Sequence, residues 1–304
     1  MSEAAESIAK ARDAFLSLVE DLRPELHRYS ARLTGSVVEG EDIVQETLAK
    51  AFYALGQLPE VPPLRPWLFR IAHNTAVDYL KSHGKSLTDV RADMTDVVDA
   101  TAEEPPDPFA VRAALAQFLV LPVSQRSAVI LKDVLGHSLE ETAETMGTTV
   151  LAVKAALVRG RGTLRASSVE ASAPRGEVSR EQLDRYAALF NARDWDGVRA
   201  LVADDCRLDL VSKSQRRGKQ VGLYFGRYEK EDVTLRVVQL DGDLALAAHV
   251  GGSAAPAYFI LLRFDGDRVS SIRDFRYVPY IARDASPSVA APEASGDTQA
   301  GSTR

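Results

Sequence analysis

The run from Ser138 to Lys154, Ser-Leu-Glu-Glu-Thr-Ala-Glu-Thr-Met-Gly-Thr-Thr-Val-Leu-Ala-Val-Lys, constrains this chain more than any other segment. Ser138 with Glu141 three residues later is a capping box, in which each residue satisfies the other's helix-end N–H. Ala143 is small where two helices would cross. Gly147, four residues on, supplies the permissive backbone of a turn. Thr148 or Thr149 then caps a second helix, whose Val150, Val153 and Leu157 face a core. The pattern predicts a helix-turn-helix. The second helix carries Lys154, Arg159, Arg161 and Arg165, with no acidic residue from Val150 to Ala166. That charge pattern is the footprint of a recognition helix entering the major groove. A solvated basic helix in a plain bundle is the competing reading. Gly160 and Gly162 weaken the helix, each by about 1 kcal/mol relative to alanine.

Composition limits how such a helix can work. The 304 residues carry a formal net charge of −6. Affinity for duplex DNA comes largely from neutralising phosphates. An acidic chain therefore relies on local basic stretches, or on a partner that supplies the grip. Hydrophobic residues at 45% and charged residues at 26% are a soluble globular balance. The longest apolar runs fall far short of a membrane span. Met1 to Lys10 is polar, with Glu3 and Glu6, unlike a secretory signal. The single cysteine, Cys206, leaves no intramolecular disulfide and no cysteine-cluster zinc site. A cytoplasmic protein without metal or cofactor is the expectation.

Three ordered blocks and two linkers follow from the pattern. The first, residues 10–85, is all-helical, with Ala14, Phe15, Leu18, Val19, Leu22 and Leu26 at helical spacing. Pro24 bends or splits that first helix. Gly35 and Gly40 mark a turn. A second helix spans residues 40–58 and a third residues 65–83, separated by Pro59, Pro62 and Pro63. Residues 86–108 are rich in Asp and Glu and free of aromatics, so they read as an acidic flexible linker. The second block, 109–167, is helical and contains the helix-turn-helix. A short Ala/Ser/Pro/Gly linker lies near Ala171 to Gly176. The third block, 177–282, changes character. Two helices precede strands at 207–211, 233–240, 244–250, 257–264 and 269–276. Asp241-Gly242-Asp243 and Asp265-Gly266-Asp267 read as hairpin turns. The tail, 285–304, reads as disordered.

The residues resemble a known family. Leu121-Pro-Val-Ser-Gln-Arg126, Gly136-His-Ser-Leu-Glu-Glu-Thr-Ala143, Val153-Lys154 and Leu157-Val-Arg159-Gly-Arg161 through Leu164-Arg165 resemble region 4 of sigma-70 family factors. Their compact extracytoplasmic-function class is the most similar. Glu41-Asp42-Ile-Val-Gln45-Glu46-Thr-Leu-Ala-Lys-Ala-Phe52 resembles the region 2 helix that docks on the polymerase clamp. Arg65-Pro-Trp67-Leu-Phe69-Arg70-Ile-Ala-His73-Asn74, followed by Asp78-Tyr79-Leu80-Lys81, resembles the helix that melts and reads the −10 element. The resemblance covers about the first 166 residues.

The resemblance implies polymerase contact through Asp42, Gln45 and Glu46, a polar face suited to a basic partner. It implies promoter contact through Arg65, Arg70, Asn74 and Lys81 at the −10 element, where aromatic and basic side chains hold unstacked bases. Trp67 reads as core rather than base-contacting. Thr148, Thr149, Lys154, Arg159, Arg161 and Arg165 are the implied −35 contacts. Thr142 stands where the family usually has Ile or Leu. Ala155 and Ala156 stand where it often has Ser and Arg.

The third block resembles the SnoaL-like, or NTF2-like, α+β cone, in which a curved sheet wraps a helix and leaves a pocket. In sigma factors that carry such a domain, the resemblance implies that it tunes the factor's own activity. Phe190, Trp195, Tyr224, Phe225, Tyr258, Phe275 and Tyr277 line a core, an interface or a small-molecule pocket. The Asp-Gly-Gly-Gly-Lys loop of one such group is absent, and Arg216-Arg217-Gly218-Lys219 is its nearest run. The expected fold is multidomain: two all-α sigma domains followed by an α+β cone. The expected partners are core RNA polymerase and promoter DNA, with a small-molecule ligand as a further possibility and no membrane. Two rivals remain. One is a ligand-sensing regulator that uses the helix-turn-helix alone. The other is a cone enzyme with Asp209, His249 or Asp274 as general base.

Overall fold

The computed structural model describes residues 11, 13–83, 105–167, 178–285 and 288–289. Most of the acidic linker, all of the second linker and most of the tail lie outside the described residues. The chain divides into two compact units, Met1–Ala171 and Ser172–Arg304.

In the first unit, residues 13–18 are helical and a 3₁₀ turn, Glu20–Leu22, leads into α1 (Arg23–Thr34). Pro24 sits in the first turn of α1, where its missing N–H costs nothing. The helical run expected from Ala14 to Leu26 is thus split, and Pro24 opens its second part. Gly35 closes α1 in the left-handed region at φ 83°. The next helix, α2 (Val37–Leu55), begins three residues earlier than the periodicity predicts, because the Ser36 hydroxyl accepts from Glu39 N at 3.3 Å. Gly40 is thus inside α2 and not in a turn. A Cβ there would fall 2.6 Å from Ala31 N, so this glycine permits the close crossing of α1 and α2. Then comes α3 (Leu64–Ser82).

The second helical block contributes α4 (Pro108–Arg112), α5 (Leu115–Phe118) and α6 (Val123–Val129), which runs on into a π turn, Ile130–Val134. The helix-turn-helix pair is α7 (Leu139–Met146) and α8 (Val150–Ala166). The two helical blocks share one core. A single buried cluster runs from Phe15, Leu33 and Phe69 to Phe118, Val129 and Leu164. Its seam is also polar. The Arg126 guanidinium donates to the Leu33 carbonyl at the end of α1, and to the carbonyls of Leu119 and Leu121. The Tyr29 hydroxyl lies 2.7 Å from His73 Nδ1 and 3.3 Å from Ser127 Oγ. Phe69 and His137 meet edge to face at 4.7 Å.

The second unit is an α+β cone. Two helices, α9 (Arg180–Asn191) and α10 (Trp195–Leu201), precede the strands β1 (Val202–Leu210) and β2 (Ser214–Arg217). After α11 (Gly222–Tyr228) come β3 (Val233–Leu240), β4 (Asp243–Val250), β5 (Tyr258–Asp265) and β6 (Arg268–Asp274), then α12 (Tyr280–Asp284) and β7 (Ser288–Val289). The sheet order is β2-β1-β6-β5-β4-β3-β7, antiparallel except for β1 beside β6. Asp241 and Gly242 both have positive φ, 55° and 93°, which fits the two-residue hairpin turn between β3 and β4. The structure adds elements that the pattern does not predict. The segment after Val211 holds β2 and α11. Ser288–Val289, expected to lack structure, pairs with β3 at Val238 and Gln239. The open edge of β3 supplies the backbone groups that recruit it.

Candidate nucleic-acid interface

The helix-turn-helix is built by three caps. Ser138 Oγ accepts from Glu141 N at 3.0 Å, and Glu141 Oε2 accepts from Ser138 N at 2.8 Å. The hydrogen bond from the Ser138 backbone is the main cause holding the Glu141 carboxyl below its ordinary range. Gly147 ends α7 in the left-handed region at φ 63°. Of the two threonines, Thr149 is the cap: its hydroxyl accepts from Ala152 N at 3.2 Å. Val153, Ala156, Leu157 and Leu164 form the buried face of α8. Gly160 has a packing reason, since a Cβ there would lie 2.9 Å from Val129 Cγ2, whereas one on Gly162 would meet nothing within 4 Å.

The four cations of α8 have different settings. Lys154 and Arg159 are half-buried at the flanks of the helix. Arg165 is exposed and pairs with Asp107 at 2.9 Å. Arg161 is turned inward, with both Asp133 oxygens within 2.9 Å of its guanidinium. Thr148 and Thr149 are exposed at the start of the helix. Nothing local in the sequence marks the partnership of Arg161 with Asp133, which are 28 residues apart. Arg126, the last residue of the Leu121–Arg126 motif, is a seam residue.

On α3, Arg70, Asn74 and Lys81 are exposed, at spacings that place them on one face. Arg65 instead pairs with Glu25 at 3.0 Å and lies over the Phe69 ring at 5.6 Å. Trp67 packs against the core. On α2, Asp42 and Gln45 are half-buried and Glu46 is exposed, pairing with Lys50 at 2.8 Å. Behind them Glu41 is fully buried and pairs with Arg23.

In the cone, Phe190, Tyr224, Phe225 and Tyr258 belong to the buried core cluster, against which Trp195 and Tyr277 pack. Phe275 is buried but outside that cluster, with Arg273 over its ring at 5.2 Å. Of the three carboxylate and imidazole candidates, Asp274 alone is fully buried, and it accepts from the hydroxyls of Tyr224 at 2.9 Å and Tyr228 at 2.8 Å. Asp209 pairs with Arg273 at 3.4 Å, and His249 Nδ1 lies 2.9 Å from the Ser253 carbonyl oxygen. Among the described residues no group of three His, Cys, Asp or Glu is placed to hold a metal ion, and no helix is long and apolar enough to cross a membrane.

The two helical blocks carry the sequence signatures of one class of transcription protein. The family model for Sigma-70 region 2 matches residues 18–86, and that for Sigma-70, region 4 matches residues 112–164. The ECF RNA polymerase sigma factor SigM of Mycobacterium tuberculosis is 33% identical over 158 residues, covering 52% of this chain and 78% of that one. The chain belongs to the ECF sigma factors of the sigma-70 family. It is also similar to the ECF RNA polymerase sigma factor SigG of the same species, at 32% identity over 215 residues, 61% of this chain and 58% of SigG. The chain thus spans little more than half the length of that relative. The crystal structure of the Mycobacterium tuberculosis extracytoplasmic function sigma factor SigJ aligns over 87% of this chain and 98% of that one, at 23% identity and a TM-score of 0.35.

Proposed function

We propose that this chain carries core RNA polymerase to promoters, as a cytoplasmic initiation factor with no catalytic step of its own. The observation that carries the reading is a coincidence of register. The Ser138–Glu141 capping box, the left-handed Gly147 and the Thr149 cap all fall inside the segment matched by the region 4 model, downstream of one matched by region 2. Residues 10–85 would be the polymerase-binding and −10 domain, 86–108 a linker, 109–167 the −35 domain, and 177–282 a domain that tunes the first two.

Each face has a role in this reading. Asp42, Gln45 and Glu46 meet a basic polymerase surface through complementary charge. Arg70, Asn74 and Lys81 hold the opened −10 strand, with Arg65 as a positioning residue at the start of α3. Thr148, Lys154 and Arg159 approach the −35 major groove, and Arg165 reaches phosphate after releasing Asp107. Arg161 braces α8 from inside. The polymerase supplies most of the non-specific grip, which is how a chain of net charge −6 works on DNA.

The test is transcription in vitro with purified core polymerase and a promoter library. Promoter-dependent initiation is the expected result, lost on changing Asp42→Lys together with Glu46→Lys. Binding to promoter DNA without polymerase, and no initiation with it, would overturn the reading in favour of a regulator that uses the helix-turn-helix alone.

A further inference from the structure

The outward ridge of α8 is apolar. Leu151 is 58% exposed and Val158 46%, and half-buried Ala155 stands between them at helical spacing. Positions 151, 155 and 158 share one face. The outward face of a surface helix is ordinarily polar. Single exposed apolar residues are common, but two on one ridge with an alanine between them are not explained by folding. This ridge contributes nothing to the core, which Val153, Ala156, Leu157 and Leu164 already form on the opposite side.

The surroundings of the ridge select its partner. Lys154 and Arg159 border it, Thr148 and Thr149 lie at its N-terminal end, and no acidic residue occurs from Val150 to Ala166. A wholly apolar protein groove would gain nothing from that basic border, whereas a polyanion would. On duplex DNA, Leu, Ala and Val side chains have no donor or acceptor, so they cannot make the paired hydrogen bonds that read guanine or adenine. The thymine C5-methyl is the apolar feature that distinguishes a base pair in the major groove. Seven residues of helix rise about 10 Å, close to three base-pair steps.

The geometry points to Leu151, Ala155 and Val158 as a specificity element that reads thymine methyl groups in the upstream promoter element. This rests on the proposed function and adds to it the base class that α8 selects. Lys154 and Arg159 then position the helix on the phosphates and leave the choice of base to the ridge.

The experiment uses holoenzyme assembled from the full chain and core polymerase. Active promoters are selected from a library randomised in the upstream element. The winners are rebuilt with deoxyuridine in place of each thymidine, which removes only the methyl. Enrichment of thymine at adjacent positions is expected, with each lost methyl lowering open-complex formation about fourfold. Leu151→Ser should weaken the thymidine template by a similar factor and abolish the response to deoxyuridine at one position, as a coupled pair requires. Val158→Ser repeats the test at the far end of the ridge should Leu151→Ser fail to fold. Equal activity on both templates, or equal weakening of both by Leu151→Ser, would overturn the inference while leaving the proposed function standing. No initiation from any library member would overturn both.

Discussion

Arg161 grips Asp133 with two hydrogen bonds, 2.9 Å from Nε and 2.6 Å from Nη2, and the two side chains are 9% and 0% exposed. The pair ties helix α8 to the π turn after α6. Its Coulomb attraction offsets the desolvation of two charges, and removing one partner strands the other in a dry site. Asp133→Ala should lower the unfolding free energy by about 3–5 kcal/mol. Joint replacement by Arg161→Met and Asp133→Leu should recover most of that loss. Urea unfolding of the three variants checks both statements.

The two glycines of α8 should respond in opposite directions to alanine. Gly162 has open space around it, so Gly162→Ala should stabilise by about 1 kcal/mol through helix propensity. At Gly160 a methyl meets Val129 and Gln125, so Gly160→Ala should destabilise despite the same propensity gain. Thermal midpoints that shift the same way in both variants would refute the packing account.

Two buried histidines give the first unit a pH dependence. Burial lowers the His73 imidazole from 6.5 to about 4, with Lys81 adding to the effect. Burial also lowers His137 to about 4, with Arg65 adding and Glu141 and Glu25 opposing. The unfolded chain therefore binds the extra protons. Stability is fully present above about pH 6.5 and falls as pH drops through the window to about 4. Each histidine contributes a slope of about 1.4 kcal/mol per pH unit there. Neither ring nitrogen of His137 has a hydrogen-bond partner, so His137→Phe should halve the slope and raise stability at neutral pH. Urea midpoints at pH 7, 6 and 5 measure it.

Asp274 behaves in the reverse sense. Burial pushes its carboxyl above the ordinary range, against the opposing hydroxyl of Tyr228, the backbone N–H of Arg276, the Arg276 charge and the hydroxyl of Tyr224. Its folded form holds a proton more tightly than its unfolded form, so this site loses stability as pH rises from about 3.8 upward. Asp274→Asn keeps an acceptor for both tyrosines but turns its NH2 toward the Arg276 backbone N–H, so it should melt below the parent and above Asp274→Ala at pH 7. Asp274→Ala leaves the Tyr224 and Tyr228 hydroxyls without their acceptor and should cost about 3 kcal/mol. Melting curves of the two variants at pH 7 separate these outcomes.

The local chemistry of this chain was readable in advance. Capping boxes and turn glycines involve residues three or four apart, and Ser138, Glu141, Gly147 and Thr149 stand where their types predict. The hairpin at Asp241-Gly242 is of the same kind. What escaped was what depends on distant partners. Gly40 reads as a turn until Ala31 is brought against it. Arg161 reads as a DNA contact until Asp133, 28 residues away, is placed beside it. Arg126 meets Leu33 across 93 residues, and no periodicity encodes such a meeting. The apolar ridge of α8 lay in plain view but required the buried face to be known first.

The seam between the helical blocks carries a thermodynamic demand. Reaching two promoter elements at once would require the blocks to part, and parting strips Leu33 of its cap from Arg126 and wets Phe69. A spread-open form stranded alone in water would be sticky and short-lived. A partner that held such a form open, as the proposed function would ask of the polymerase, would have to cover those surfaces in turn.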